Sequence, residues 1–330
     1  MCYKDELQKT NDGRLQRTFE REQVPQFITR YFINVRSKAG AINYWVAIRD
    51  LLNWAIEHKI IKRNNISEII PDDMLEIESE DVTEYLEYKE KEGMSPATLN
   101  VRKNIFRSFW NYLVRTRRCP VQYNVITSVM YEGIDSSVYN RTRKCPKDSD
   151  LKAMEEKIKQ KKDTFVRDRN LIVLRVLKGT GIREGELAGL DLSDVDFQGD
   201  EWGGPYITVL GKKRYRQSDK RKVYLTQDAT NALREWMNLR GNINNVVDTE
   251  ALFLNKNGKR LTESNIKKIF SNYGNGLTPH MIRHWYATVL SRESGGDLAT
   301  QQQLGHSVGT TTRKYYVNTA YKMKDVLNKI

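Results

Sequence analysis

Histidine is scarce in this sequence, with four residues among 330, and cysteine is scarcer still, with three. No two cysteines stand close enough to form a Cys-x-x-Cys pair, so the chain shows no sign of a zinc cluster and fits a reduced, cytoplasmic compartment. No apolar run is long enough to cross a membrane, and the first residues, MCYKDELQKT, are not those of a signal peptide. These absences argue against membrane and zinc-cluster proteins, and no membrane partner is expected.

The charge balance is strongly positive, because 55 lysines and arginines stand against 42 aspartates and glutamates, a formal net charge of +13. Such an excess predicts a polyanionic partner, and double-stranded DNA is the simplest one. A ribosomal or other generally basic protein would show the same excess, so charge alone does not decide. The chain is long enough for two domains, each with its own hydrophobic core.

Most of the histidine is concentrated in the last stretch of the chain, residues 278–330. Three of the four residues lie there: His280, His284 and His306. The pair Thr278-Pro279 is a helix-start pattern, with threonine as the cap and proline at the first helical position. Arg283 follows His280 by three residues, which predicts that both lie on one face near the positive end of that helix.

Two interpretations of this stretch remain open from the residues alone. A guanidinium, two imidazoles and the phenol of Tyr315 in one place would form a phosphate site with a nucleophile. A basic helix packed by aromatic side chains would have the same spacing. A metal site at His280 and His284 is weaker, because the glutamate of H-E-x-x-H is missing and no third ligand is evident; no metal is expected.

Four motifs follow one another along the second half of the chain. They are T-G-x-R-x-x-E-L at 180–187, H-x-x-R-H at 280–284, L-G-H-S at 304–307, and T-T-x-x-Y, whose tyrosine stands nine residues after His306. In this order and spacing the sequence resembles the tyrosine recombinase family, the phage integrases and Xer-type recombinases. The resemblance covers about 146–316 well and 24–120 loosely.

The resemblance implies a set of catalytic residues: Arg183, Lys212, His280, Arg283, His306 and Tyr315. Glu186, one turn after Arg183, would orient its guanidinium, although an ordinary surface pair has the same spacing. Tyr316 is a rival to Tyr315, and Lys213 is a rival to Lys212, because the basic loop is longer than the family's usual G-K-G-x-K-x-R run. No cofactor is implied, since fixed guanidiniums would take the place of a metal ion at the phosphate.

The pattern of apolar residues predicts a mostly α fold with a small antiparallel β-sheet, whose strands alternate at 194–197, 206–210 and 222–225. The resemblance adds an N-terminal helical core-binding domain and a mixed α/β catalytic domain. The expected boundaries are a flexible lead at 1–22, the core-binding domain at 23–135, a linker at 136–147, and the catalytic domain with a C-terminal tail at 148–330.

Basic side chains outside the motifs are candidates for DNA binding. They lie on the fourth N-terminal helix, at Arg102, Lys103 and Arg107, and in the hairpin tip, at Lys213 and Arg214. A helix with an aromatic seam and a basic outer face suits the DNA backbone. A solvated helix and a solvated charged loop are the alternatives.

The resemblance implies a site-specific recombinase that cuts and rejoins double-stranded DNA through a 3′-phosphotyrosyl intermediate. Its task would be either the integration and excision of a mobile element or an Xer-like resolution. The resemblance implies a homotetramer on two DNA sites, with the apolar C-terminal tail docked in trans; packing in cis is the alternative. A type IB topoisomerase and a non-catalytic basic DNA-binding protein are competing readings. The short N-terminal lead favours a recombinase without an extra arm-binding domain.

Overall fold

The computed structural model describes residues 3–35, 37–117, 119–131, 145–200, 204–211, 220–294 and 303–304. The chain divides into two compact units, Met1–Arg143 and Lys144–Ile330. Most described residues are helical, and one three-stranded antiparallel sheet accompanies them, so the predicted fold class is confirmed. Five predicted site residues lie outside the described ranges: Lys212, Lys213, Arg214, His306 and Tyr315.

The described part of the first unit contains five α-helices. They are α1 (Tyr3–Arg21), α2 (Gln26–Ile33), α3 (Lys38–Glu57), α4 (Ser79–Lys91) and α5 (Pro96–Thr116). The start of α5 follows the predicted pattern, because the Ser95 side chain accepts from the backbone N–H of Thr98 and Pro96 is the first helical residue. The predicted apolar face of α5 is buried, including Phe106, Phe109 and Trp110.

The prediction of a flexible lead at 1–22 is wrong, since α1 occupies most of it. Leu15 and Phe19 are four residues apart, on one helix face, and both are buried. The Phe19 ring lies 5.1 Å from the Phe32 ring and 5.4 Å from the Trp45 ring. Polar residues dominate the segment, but these two contacts with α2 and α3 stabilise it as a helix.

The second unit contains the sheet and, among the described residues, six further α-helices. They are α6 (Asp148–Lys159), α7 (Thr164–Thr180), α8 (Glu184–Ala188), α9 (Gln227–Gly241), α10 (Glu263–Tyr273) and α11 (Pro279–Ser294). The strands are β1 (Val195–Asp200), β2 (Gly204–Leu210) and β3 (Lys220–Tyr224), in that order. Helix α7 packs against α6, α9 and α11. In the core the Trp236 ring stacks on the Phe253 ring, with centroids 5.3 Å apart.

A left-handed glycine joins α7 to α8. Gly181 caps α7 with φ at 62°, a conformation that other residues adopt only with strain. A Cβ at this position would lie 2.3 Å from Cδ1 of Tyr286. This sharp turn brings the chain directly to Arg183, which is the cap residue of α8 rather than part of its first turn.

Candidate active site: three arginines around a buried glutamate

Glu186 and Arg183 form a local pair at the start of α8. Oε2 of Glu186 accepts from the backbone N–H of Arg183 at 2.9 Å, and Oε1 accepts from Arg183 Nη1 at 3.0 Å. The Glu186 side chain is 2% exposed and that of Arg183 is 35% exposed. The carboxylate therefore caps the short helix and orients the guanidinium, the contact that the three-residue spacing predicts.

Arg221 of β3 completes the surroundings of the same carboxylate. Its Nη1 and Nη2 atoms donate to Oε1 and Oε2 of Glu186 at 3.1 and 3.2 Å. The prediction of site residues missed Arg221, which looked like one member of a basic run. Strand alternation could have found it: Arg221 stands two residues before the buried Val223 and therefore shares its inward face.

Arg283 of α11 is the third guanidinium, and its side chain is only 4% exposed. Its Nη1 donates to the Gly181 carbonyl and its Nη2 to the Leu304 carbonyl, both at 2.8 Å. Gly181 stands two residues before Arg183, and Leu304 stands two residues before His306. Arg283 thus holds the backbone that leads to two other predicted catalytic residues, and its Nη1 lies 4.0 Å from Oε2 of Glu186.

The electrostatics of this group favour an anion. Burial alone would raise the pKa of Glu186, but Arg221 and Arg183 outweigh burial and hold that pKa below its usual value. Burial lowers the pKa of Arg283 to about 10, and the like charges of Arg183 and Arg221 add to this. Three guanidiniums with one carboxylate leave an excess of positive charge, which a phosphate would neutralise.

His280 and Arg283, which were expected on one face, lie in different environments. His280 is exposed, and its Nε2 lies 3.1 Å from Nε2 of His284, so one ring donates and the other accepts. Arg283 points to buried carbonyls. The helix begins as predicted, because the Thr278 side chain accepts from the backbone N–H of Met281 at 3.3 Å.

Gln303 is a second buried polar residue that sequence reasoning missed. Its side chain donates to the Tyr224 carbonyl at 2.6 Å and accepts from the Tyr224 N–H at 3.2 Å. It also donates to the Tyr286 hydroxyl at 3.2 Å. Nothing in the run Gln301–Gln303 distinguishes the last glutamine, because the contact depends on β3. The segment just before His306 is thereby fixed to the strand that carries Arg221.

The DNA-binding candidates on α5 differ from one another. Arg102 is paired with Asp50 of α3 and the Tyr85 hydroxyl of α4, and Lys103 donates to the carbonyls of Val129 and Tyr131 at 2.9 Å. The expectation of an outward basic face is therefore wrong for these two residues, which bind groups of their own unit. Arg107 is half-buried like these two, but its side chain donates to the exposed Asn104 side chain at 2.9 Å.

Comparison with known proteins decides the family. A profile of the phage integrase family matches residues 148–323. The chain belongs to the phage integrase family. Tyrosine recombinase XerC of Salmonella typhi is 31% identical over 232 residues, which cover 68% of this chain and 70% of XerC. XerC of Escherichia coli O127:H6 is 29% identical over 231 residues, covering 68% and 71%. The resemblance in the motifs is confirmed, and the chain is a tyrosine recombinase, an enzyme that transfers DNA strands.

Solved structures of this family share the fold. XerH site-specific recombinase, in a pre-cleavage complex with difH substrate, aligns with a TM-score of 0.60 and 21% identity over 86% of this chain and 78% of XerH. A lambda integrase dimer bound to a COC′ core site aligns with a TM-score of 0.59 and 16% identity over 88% and 94%. Both the helical first unit and the mixed second unit thus have counterparts in the integrase fold.

Among the described residues, no group of three histidine, cysteine, aspartate or glutamate side chains is placed to hold a metal ion. No helix within the described ranges combines the length and the apolar character that a membrane crossing requires.

Proposed function

We propose that this recombinase cuts double-stranded DNA at a specific site through Tyr315, which forms a 3′-phosphotyrosyl link, and rejoins the strand to a new partner. The observation that supports this most directly is the cluster of Arg183, Arg221 and Arg283 around one buried glutamate. Phosphoryl transfer places extra negative charge on the non-bridging oxygens, and fixed guanidiniums stabilise that charge.

Arg183 is the arginine best placed to bind the scissile phosphate. It donates one side-chain hydrogen bond to Glu186 and is partly exposed, so further N–H groups of its guanidinium are available to an oxyanion. Arg283 uses two N–H groups for carbonyls, and it is the proposed second donor to the non-bridging oxygens. His306, which follows the Leu304 anchor, is the proposed third donor to the non-bridging oxygens.

The proton transfers complete the proposed reaction. Tyrosine has a pKa of about 10, so it must lose its proton as it attacks. The bond from the Tyr315 oxygen to phosphorus forms while the bond from phosphorus to the 5′ oxygen breaks. His280 assists the departure of the tyrosine proton, and Lys212 protonates the leaving 5′ oxygen. Because the phosphodiester energy is kept in the covalent link, rejoining needs no ATP.

The proposed function also includes an assembly. The proposed active form is a homotetramer on two DNA sites, in the cytoplasm, with the C-terminal tail docked on the neighbouring protomer. The apolar stripe of Met323, Val326, Leu327 and Ile330 would supply the contact. Crosslinking on DNA tests this arrangement: a tail-deleted protein should lose tetramers, and unchanged tetramers would rule out the role in trans.

A nicked suicide substrate tests the nucleophile. The DNA site is obtained first by sequencing the DNA that crosslinks to the protein in cells. The wild type should accumulate a covalent protein–DNA adduct, which Tyr315→Phe abolishes and Tyr316→Phe retains. An adduct that persists in Tyr315→Phe but disappears in Tyr316→Phe would show that the assignment is wrong. Relaxation of a plasmid without the site would instead indicate topoisomerase activity.

A further inference from the structure

Within the described part of the chain, Glu186 accepts four hydrogen bonds, and Arg221 supplies two of them. A carboxylate accepts about four hydrogen bonds. Two come from the backbone and Nη1 of Arg183, and two come from Nη1 and Nη2 of Arg221. Among the described residues, Arg221 makes the forked, bidentate pair and Arg183 makes one side-chain bond.

Arg183 and Arg221 compete for the same carboxylate, that of Glu186. A bidentate pair is the preferred geometry between arginine and a carboxylate. Arg183 lies three residues from Glu186 and could form such a pair if acceptor positions were open. Arg221 holds one position on each oxygen, so the Arg183 guanidinium keeps its single bond and remains 35% exposed.

Arg221 also contributes one positive charge to the cluster. Three guanidiniums and Glu186 together carry a net charge of +2. Without Arg221 the net charge would be +1, and Glu186 would be left with two open acceptor positions beside Arg183 and 4.0 Å from Arg283. A buried carboxylate in that position would attract the guanidiniums that the phosphate needs.

We propose that Arg221 is a positioning residue, which occupies Glu186 so that the Arg183 guanidinium stays available to the scissile phosphate. The inference rests on the proposed function, in which Arg183 contacts that phosphate. It assigns to a residue of β3 a role that acts through Glu186. It also predicts that the loss of Arg221 slows adduct formation because Glu186 then binds the Arg183 guanidinium.

The test compares two variants by the rate at which they form the covalent adduct in a single turnover. Arg221→Met should slow adduct formation by about 10²-fold, the scale of losing one oxyanion donor. Adding Glu186→Gln to that variant should raise the rate again by about tenfold, within the coupling of residues in contact. The second change removes the carboxylate that would capture Arg183 and returns the cluster to a net charge of +2.

Lys222→Met is the matched control. It removes a cation from the next position of the strand, where the side chain is 48% exposed and paired with Asp200. Glu186→Gln should not raise the rate of this variant. Arg221→Lys keeps the charge but loses the fork, so it should remain slow and should also be rescued by Glu186→Gln. If Arg221→Met fails to fold, the rate of Arg221→Lys is compared with and without Glu186→Gln instead.

Failure of this inference can be distinguished from failure of the proposed function. If the double variant is folded, with an unchanged melting temperature relative to Arg221→Met, and is no faster, then Arg221 does not act through Glu186 and the inference is overturned. If Arg183→Ala forms the adduct at the wild-type rate, the proposed function itself is wrong, because Arg183 then has no role at the phosphate.

Discussion

The guanidinium of Arg283 donates to the carbonyl of Leu304 at 2.8 Å, across 21 positions of sequence. Its other terminal nitrogen donates to the carbonyl of Gly181, 102 positions away. One buried side chain therefore fixes the backbone that precedes Arg183 and the backbone that precedes His306. A motif residue that would be expected only to bind phosphate also organises the site.

Replacing Arg283 should cost both stability and activity. Arg283→Met leaves two buried carbonyls without their donor, and we expect the free energy of unfolding to fall by about 2–5 kcal/mol. Denaturant unfolding measures this, with Arg292→Met, an exposed arginine on the same helix, as the control. A loss no larger than that of the control would contradict the anchoring role.

Gly181 should tolerate no side chain. Gly181→Ala combines a left-handed backbone with a Cβ placed 2.3 Å from Cδ1 of Tyr286 and 2.9 Å from Cδ2 of Leu304. We expect the free energy of unfolding to fall by about 2–4 kcal/mol, and adduct formation to slow because the turn leads to Arg183. Gly241→Ala is the control, since no atom lies within 4 Å of its Cβ position and alanine is the better helix former. Equal thermal stability of the two variants would refute the expectation.

The stability that Glu186 contributes should depend on pH. Its pKa is lower in the folded protein than the value of 4.5 expected for a free glutamate. The contribution is therefore fully present above pH 4.5 and is lost as the pH falls through the folded pKa. The difference in unfolding free energy between the wild type and Glu186→Gln should be large at pH 7 and shrink below pH 4.5. Glu156→Gln, on an exposed glutamate, is the control for the substitution itself. A stability difference between the wild type and Glu186→Gln that widened in acid would contradict this sign.

Arg102 and Arg107 should behave differently toward DNA. Arg102 is paired with Asp50, whose pKa is lowered by Arg102 against the raising effect of burial. Arg102→Met should reduce the free energy of unfolding while leaving the salt dependence of DNA binding unchanged. Arg107→Met should leave stability nearly unchanged and reduce the slope of log affinity against log salt by about 1 if it contacts a phosphate. DNA-binding titrations from low to high salt measure the slope for each variant, and denaturant unfolding measures its stability. The reverse pattern would mean that Arg102 contacts DNA and that Arg107 stabilises the fold.

Much of the architecture follows from local signals. The Ser95-Pro96 and Thr278-Pro279 patterns mark helix starts because capping involves only neighbouring residues. The strands were recognisable from alternation, which requires only one buried face. The family was recognisable from ordered motifs. Helix α1 was missed because it is mostly polar and becomes a helix through the contacts of Leu15 and Phe19 with other helices.

The sequence by itself determined the family and the order in which its motif residues occur, because motif spacing and local capping are properties of neighbouring residues. Only the tertiary structure decided which basic residues meet at the site and which are used elsewhere. Arg221 reaches Glu186 across 35 positions, and Arg102 reaches Asp50 across 52. Contacts at such separations depend on how strands and helices pack, and one arginine in a basic run looks like any other until its partner is known.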